Sequence, residues 1–193
     1  MAFEALAKRL AAREIRGHVY VVGGAAMVMA HRRSESTLDI DALAIDPREA
    51  VLDAAEEVAR EQGLDPDWLN DEVRRIGVLP YRPDKTPEVL FDSPFLVVTG
   101  ASARHMLAMK VRTGRERDER DIKLLLRQLG VTTMREVREI HSSVYPHDGI
   151  PWRNEARIAA ILRGEREKGL VEERDRAPKR EGRPNAPRNP AGT

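Results

Sequence analysis

The chain has 193 residues, with 33 Lys and Arg against 32 Asp and Glu, a near-neutral balance that argues against a protein coating nucleic acid by bulk charge and leaves any such contact to local patches. It contains no Cys, which excludes a disulfide framework, a thiolate zinc site and a cysteine nucleophile, and fits a reducing cytosol. The opening segment is broken by Glu4, Lys8 and Arg9, and no apolar run approaches a membrane span of about 18 residues, so a soluble, cytoplasmic protein without a membrane partner is expected.

Phe3, Leu6, Leu10 and Ile15 fall near helical spacing among charged residues and predict an amphipathic helix ended by Gly17. Residues 18–22 are short, β-branched and bounded by glycines, which predicts a buried strand. Gly23-Gly24 then turns the chain into a helix over residues 25–30. Residues 38–45 begin by alternating carboxylates and aliphatics and stop at Asp46-Pro47, a strand followed by a helix over about 47–62. Loops and short helices are expected from Gly63 to Lys85, with Trp68 anchoring a loop to the core and Asn70 making a turn. Extended pieces near residues 89–91 and 95–98, joined at Asp92-Ser93-Pro94, complete a small mixed sheet.

From Ser102 onward the pattern is helical, over about 102–113, 117–129, 133–143 and 153–165, with Ser102 capping the first of these and Gly130 ending the second. Beyond about Gly169 apolar residues are scarce and a disordered tail is expected. The expected fold class is α+β: a core of sheet and helices over 1–100, a C-terminal helical bundle over 101–168, and the tail 169–193.

Asp39 and Asp41 stand two apart on the predicted strand, so both side chains leave the same face and can converge on divalent cations. Hard oxygen ligands suit Mg²⁺, and a pair of such ions can stabilise the attacking hydroxyl and the leaving pyrophosphate of a phosphoryl transfer. The bland alternative is a strand with one polar face. Gly23-Gly24 places backbone N–H groups where a triphosphate could sit, and Thr37 with Arg32 or Arg33 brings a hydroxyl and cations nearby. Lys110, Arg112, Arg115, Arg117, Arg120 and Lys123 can track an RNA backbone, or form an ordinary solvated face, since Glu116, Asp118, Glu119 and Asp121 alternate with them. His105 reads as structural or surface, and His141 and His147 lack partners at metal spacing.

Gly23-Gly24-Ala25, an Arg-rich segment and Thr37-Leu38-Asp39-Ile40-Asp41 together resemble the opening motif of minimal nucleotidyltransferases of the polymerase-β superfamily. Lys110 followed by Arg117-Asp118-Glu119-Arg120-Asp121 resembles the Lys, then Arg-Asp-x-x-Asp, motif of AbiEii/MenT-type toxin nucleotidyltransferases. Residues 129–133 and Val144-Tyr145-Pro146 are similar to the DUF6036 family. Over roughly residues 15–165 the resemblance implies a nucleotidyltransferase fold in which Asp39 and Asp41 bind two Mg²⁺ ions, Gly23, Gly24, Thr37 and Arg117 serve the nucleotide, Lys110 contacts a phosphate and Asp121 completes the polar network. It further implies transfer from an NTP to an RNA, the 3′ end of tRNA, by the toxin of a bacterial toxin–antitoxin pair with a cognate antitoxin. The superfamily draws a third carboxylate from a later strand, for which Glu88, Asp92 and Asp71 are the candidates. The alternatives are a catalytically inactive module of this fold that binds a partner protein or RNA, and adenylylation of an antibiotic.

Overall fold

The computed structural model describes residues 2–31, 33, 39–76 and 79–176. Helix α1 (Ala2–Ala12) leads into strand β1 (Gly17–Val21), the short helix α2 (Gly23–Met29), strand β2 (Ile40–Asp46) and helix α3 (Arg48–Gln62). Strands β3 (Leu69–Asn70), β4 (Glu88–Ser93) and β5 (Leu96–Gly100) follow, then helices α4 (Ala103–Thr113), α5 (Glu119–Leu129), α6 (Met134–Val144) and α7 (Trp152–Arg176). Two 3-10 turns, Glu72–Ile76 and Glu116–Asp118, fill out the order. No helix among the described residues is long and apolar enough to cross a membrane.

The five strands form one mixed sheet in the order β3-β2-β1-β5-β4. β1 runs antiparallel to β2 and parallel to β5, β2 is parallel to β3, and β4 closes the far edge antiparallel to β5. One face carries Val19, Val21, Leu96 and Val98 inward, and Leu6 and Leu10 of α1 with Val51, Ala54 and Val58 of α3 are buried in the same core. Each aliphatic side chain buried there contributes about 1.5–3 kcal/mol. The helix α1 stops short of Gly17 because Glu14 takes a left-handed backbone (φ 55), although Ile15 still reaches back through its N–H to the Leu10 carbonyl at 3.0 Å.

Trp68 is buried, and its indole N–H donates to the Ala55 carbonyl at 2.9 Å. That anchor brings Leu69 and Asn70 beside Ile40 and Asp41 as a short parallel strand, where a loop was expected. Ser102 caps α4 by accepting from the His105 N–H at 3.3 Å, and Gly130 ends α5 in the left-handed region. Thr133 and Glu136 close a reciprocal capping box at the start of α6.

Helix α7 is longer than the expected 153–165. Ile158, Ile161 and Leu162 bury against the other helices, and past them the chain keeps good helix formers, so an established helix propagates without needing apolar contacts. The boundary expected at 169 therefore falls inside α7, while the rest of the expected tail, 177–193, lies outside the described residues.

Candidate active site

The C-terminal end of β1 meets the start of β2 at a turn that tolerates no side chain. Gly23 has φ +67, and a Cβ there would lie 2.6 Å from Asp41 Oδ2. The Val22 N–H donates to the Asp41 carbonyl at 2.9 Å, so the glycine turn is joined directly to the strand that carries the carboxylate. Gly23 and Gly24 open the first turn of α2 and line a cleft of about 430 Å³ together with Asp39 and Asp41.

Across the cleft stand α4 and the chain that leaves it. Met106, Met109, Lys110 and Thr113 come from α4, Arg115, Arg117 and Asp118 from the turn beyond it, Asp121 from α5, and Arg33 and Val73 from the sheet side. Asp41 is held above the ordinary carboxylate range. Burial is the main cause and the negative charge of Asp39 adds to it, while Arg115 and Arg117 pull the other way and Glu72 raises it further. Two carboxylates that repel each other inside a half-buried cleft form a hard-oxygen donor set suited to a divalent cation.

Lys110 is buried, 7% exposed, and its charge is already engaged. Its Nζ lies 2.7 Å from Asp118 Oδ1 and 2.8 Å from Asp121 Oδ2, and Arg33 Nη1 reaches the same Asp121 oxygen at 3.3 Å. Removing one member of such a buried set leaves an uncompensated charge, at a cost of about 3–5 kcal/mol. The phosphate contact expected of Lys110 is therefore tempered: two of the three donors of its ammonium serve Asp118 and Asp121. Asp118, which sequence reasoning left out of the site, belongs with it. The signal was the spacing, since Asp118 and Asp121 are three apart and can share a face at the start of α5.

The basic cluster does not form a continuous track. Arg112 turns away to Asp148 and packs over the Tyr145 ring at 4.6 Å, Lys123 pairs with Glu119 at 2.5 Å, and Lys110 sits in the buried set. Arg115 and Arg117 line the cleft, where their positive charge acts on Asp41 and pulls its pKa down against burial and Asp39.

The third-carboxylate candidates go elsewhere. Asp71 makes a two-pronged contact with Arg48 at 2.7 and 3.0 Å. Glu88 and Asp92 lie on β4, separated from β2 by both β1 and β5, about 14 Å at the usual strand spacing. None of the three lines the cleft. The strand beside β2 is β3, and the residue in register with Asp41 is Asn70, whose amide holds the following turn by accepting from Glu72 N–H at 3.1 Å. Among the described residues no group of three or more His, Asp or Glu could hold a metal ion. Among the described residues, the glycine-turn side of the cleft carries two carboxylates, Asp39 and Asp41, while Asp118 and Asp121 on the opposite wall are engaged by Lys110.

His105 is structural, with Nε2 3.1 Å from the Arg82 carbonyl. Thr37 and Arg32 lie outside the described residues. Gly23, Gly24, Asp39, Asp41, Lys110, Arg117 and Asp121, drawn from three separate stretches of chain, all line the one cleft.

No curated protein and no solved structure matches the chain significantly. A family model described as a nucleotidyltransferase of unknown function, DUF6036, matches residues 1–148. That span contains the whole sheet and every residue of the cleft, and the chain belongs to this nucleotidyltransferase family.

Proposed function

We propose that the cleft binds an NTP with Mg²⁺ and transfers its nucleotidyl group to the 3′ hydroxyl of an RNA, with tRNA as the acceptor. The observation that carries the reading is the pairing of opposites in one cleft: Asp39 and Asp41 against the glycine turn on one side, Arg115 and Arg117 on the other. A volume of about 430 Å³ lies within the size range of small-ligand sites, roughly 300–1,000 Å³, and leaves the acceptor to enter from outside.

The sequence resemblance to toxin nucleotidyltransferases supports the RNA acceptor and a role as the toxin of a toxin–antitoxin pair, acting in the cytoplasm and restrained by a cognate antitoxin. A divalent cation, when bound, supplies charge neutralisation of the triphosphate and makes the acceptor hydroxyl more acidic. Asp39 and Asp41 would hold it; a second ion would need oxygen ligands from the substrate or from water, because Glu88, Asp92 and Asp71 face elsewhere. Arg115, Arg117 and the backbone of Gly23 and Gly24 orient the phosphates, and Lys110 with Asp118 and Asp121 keeps the wall carrying those arginines rigid. The acceptor oxygen forms its bond to the α-phosphorus, the bond to the bridging oxygen breaks, pyrophosphate leaves, and the hydroxyl proton passes to the carboxylate pair or to water.

The test is incubation of purified protein with Mg²⁺, each α-labelled NTP in turn and total tRNA, comparing wild type with Asp41→Ala. Label on tRNA that vanishes in the variant supports the reading and names the nucleotide. Label on no RNA with any of the four NTPs rejects it.

A further inference from the structure

The two arginines that face the cleft sit on a turn gripped from behind by α7, a helix beyond the residues that the family model matches. α4 ends at Gly114 with φ +61, and a Cβ at this position would lie 2.0 Å from Asn154 Oδ1. The Asn154 amide donates to the Val111 carbonyl at 3.0 Å and to the Arg112 carbonyl at 2.8 Å, satisfying carbonyls that a helix end leaves without partners. One turn along α7, Arg157 donates to the Gly114 carbonyl at 2.5 Å and to Glu116 Oε1 at 3.1 Å. Asn154 and Arg157 are three apart and share a helix face. Their contacts bracket Arg115 on both sides in sequence and stop one residue short of Arg117.

The other tethers of α7 are different in kind. Arg138 to Glu155 at 2.8 Å and Arg127 to Glu165 join side chains on helix surfaces, and Ile158, Ile161 and Leu162 supply the buried packing. Among the described residues, Asn154 reaches the backbone at the end of α4 and Arg157 the carbonyl of Gly114, directly before the cleft arginines.

We infer that Asn154 and Arg157 are positioning residues for the nucleotide: they fix the Gly114 turn and so aim Arg115 and Arg117 at the phosphates of the substrate. The inference rests on the nucleotide reading above. An unpinned turn spreads the guanidiniums over more conformers, and the ordering is then charged against binding. The effect falls on affinity for the triphosphate and little on the chemical step.

The experiment uses the full chain with Asn154→Ala, Arg157→Ala, Arg157→Lys and Glu165→Gln, and reads KM and kcat for the NTP that wild type uses and equilibrium binding of Mg²⁺ with inorganic triphosphate. Asn154→Ala and Arg157→Ala are expected to weaken triphosphate binding and raise KM about five- to tenfold, the scale of a partly lost charged hydrogen bond, with kcat within about twofold. Arg157→Lys, which keeps a donor for the Gly114 carbonyl, is expected to recover most of that loss, and Glu165→Gln to leave both constants unchanged. On an Arg115→Ala, Arg117→Ala background, Arg157→Ala should add nothing, because its effect runs through those residues. Equal losses from Glu165→Gln, or an Arg157→Ala effect that persists without Arg115 and Arg117, overturn the inference. A wild type that binds inorganic triphosphate yet transfers no nucleotide rejects the nucleotidyl reading alone and leaves the positioning test running on triphosphate binding; a wild type that binds neither ligand overturns both.

Discussion

Asp84 and Asp41 are both drawn away from water, and they meet that condition in opposite ways. Asp84 is met by donors on every side: Ser102 N–H at 2.7 Å, Ser102 Oγ–H at 2.9 Å, Tyr20 O–H at 2.9 Å and Thr86 N–H at 3.1 Å. Burial alone would raise its pKa, but those donors together hold it below the usual range. Asp41 has the glycine turn, a neighbouring carboxylate and no side-chain hydrogen bond among the described residues, and it stays raised by burial and by Asp39. A carboxylate supplied with donors stabilises the fold; one left short of them keeps a demand for positive charge that the proposed cation or substrate would meet.

The linkage signs make the contrast measurable. Asp84, with its folded pKa lowered, contributes stability that is fully present above the unfolded value of about 4 and is lost as pH falls through the folded value. Asp41, with its folded pKa raised, contributes most when protonated, and that contribution is lost as pH rises through the raised value. At neutral pH the first stabilises the protein and the second costs stability.

The largest expected effect breaks the cleft side of this contrast. Asp41→Asn should lower nucleotidyl transfer by about 100- to 1,000-fold, the scale of one preorganised electrostatic contact, read by label transfer under saturating NTP. On the other side, Asp84→Ala should leave Tyr20 and Ser102 without their acceptor and cost about 3 kcal/mol in urea unfolding, while also flattening the loss of stability below pH 4. Transfer by that variant should remain within a few-fold of wild type below its unfolding temperature.

Gly23→Ala sharpens the comparison from the backbone. The added methyl meets Asp41 Oδ2 and the residue must hold φ +67, so stability should fall by about 1–3 kcal/mol and transfer should fall with it, whereas Gly63→Ala, which meets nothing within 4 Å, should show only the backbone cost. Smallest is Arg115→Ala, expected to raise the KM for NTP about tenfold, the scale of one charged hydrogen bond, with stability unchanged within about 0.5 kcal/mol.

Much of the scaffold was legible because its signals are local. The stop at Asp46-Pro47, the Ser102 cap and the Gly130 terminus each act over a few residues, and each stands where the spacing puts it, whereas β2 starts at Ile40 and leaves Asp39 in the bend before the strand. Strand order is not local. Glu88 and Asp92 read as candidates for the metal site until β1 and β5 come between them and β2, and the pairing of Asn70 with Asp41 depends on Trp68 finding Ala55. In the same way the cationic run after Lys110 looks uniform in sequence, yet burial commits Lys110 to Asp118 and Asp121, Arg112 leaves for Asp148, and Arg115 and Arg117 line the cleft.

Thermal unfolding of wild type and Asp41→Asn at pH 7.5, with and without Mg²⁺ and the nucleotide that wild type uses, tests the central claim most directly. The account predicts that the variant without ligand melts higher than wild type, and that it loses the ligand-induced rise in Tm that wild type shows. A variant that melts lower without ligand, or one that keeps the full ligand-induced rise, would contradict it.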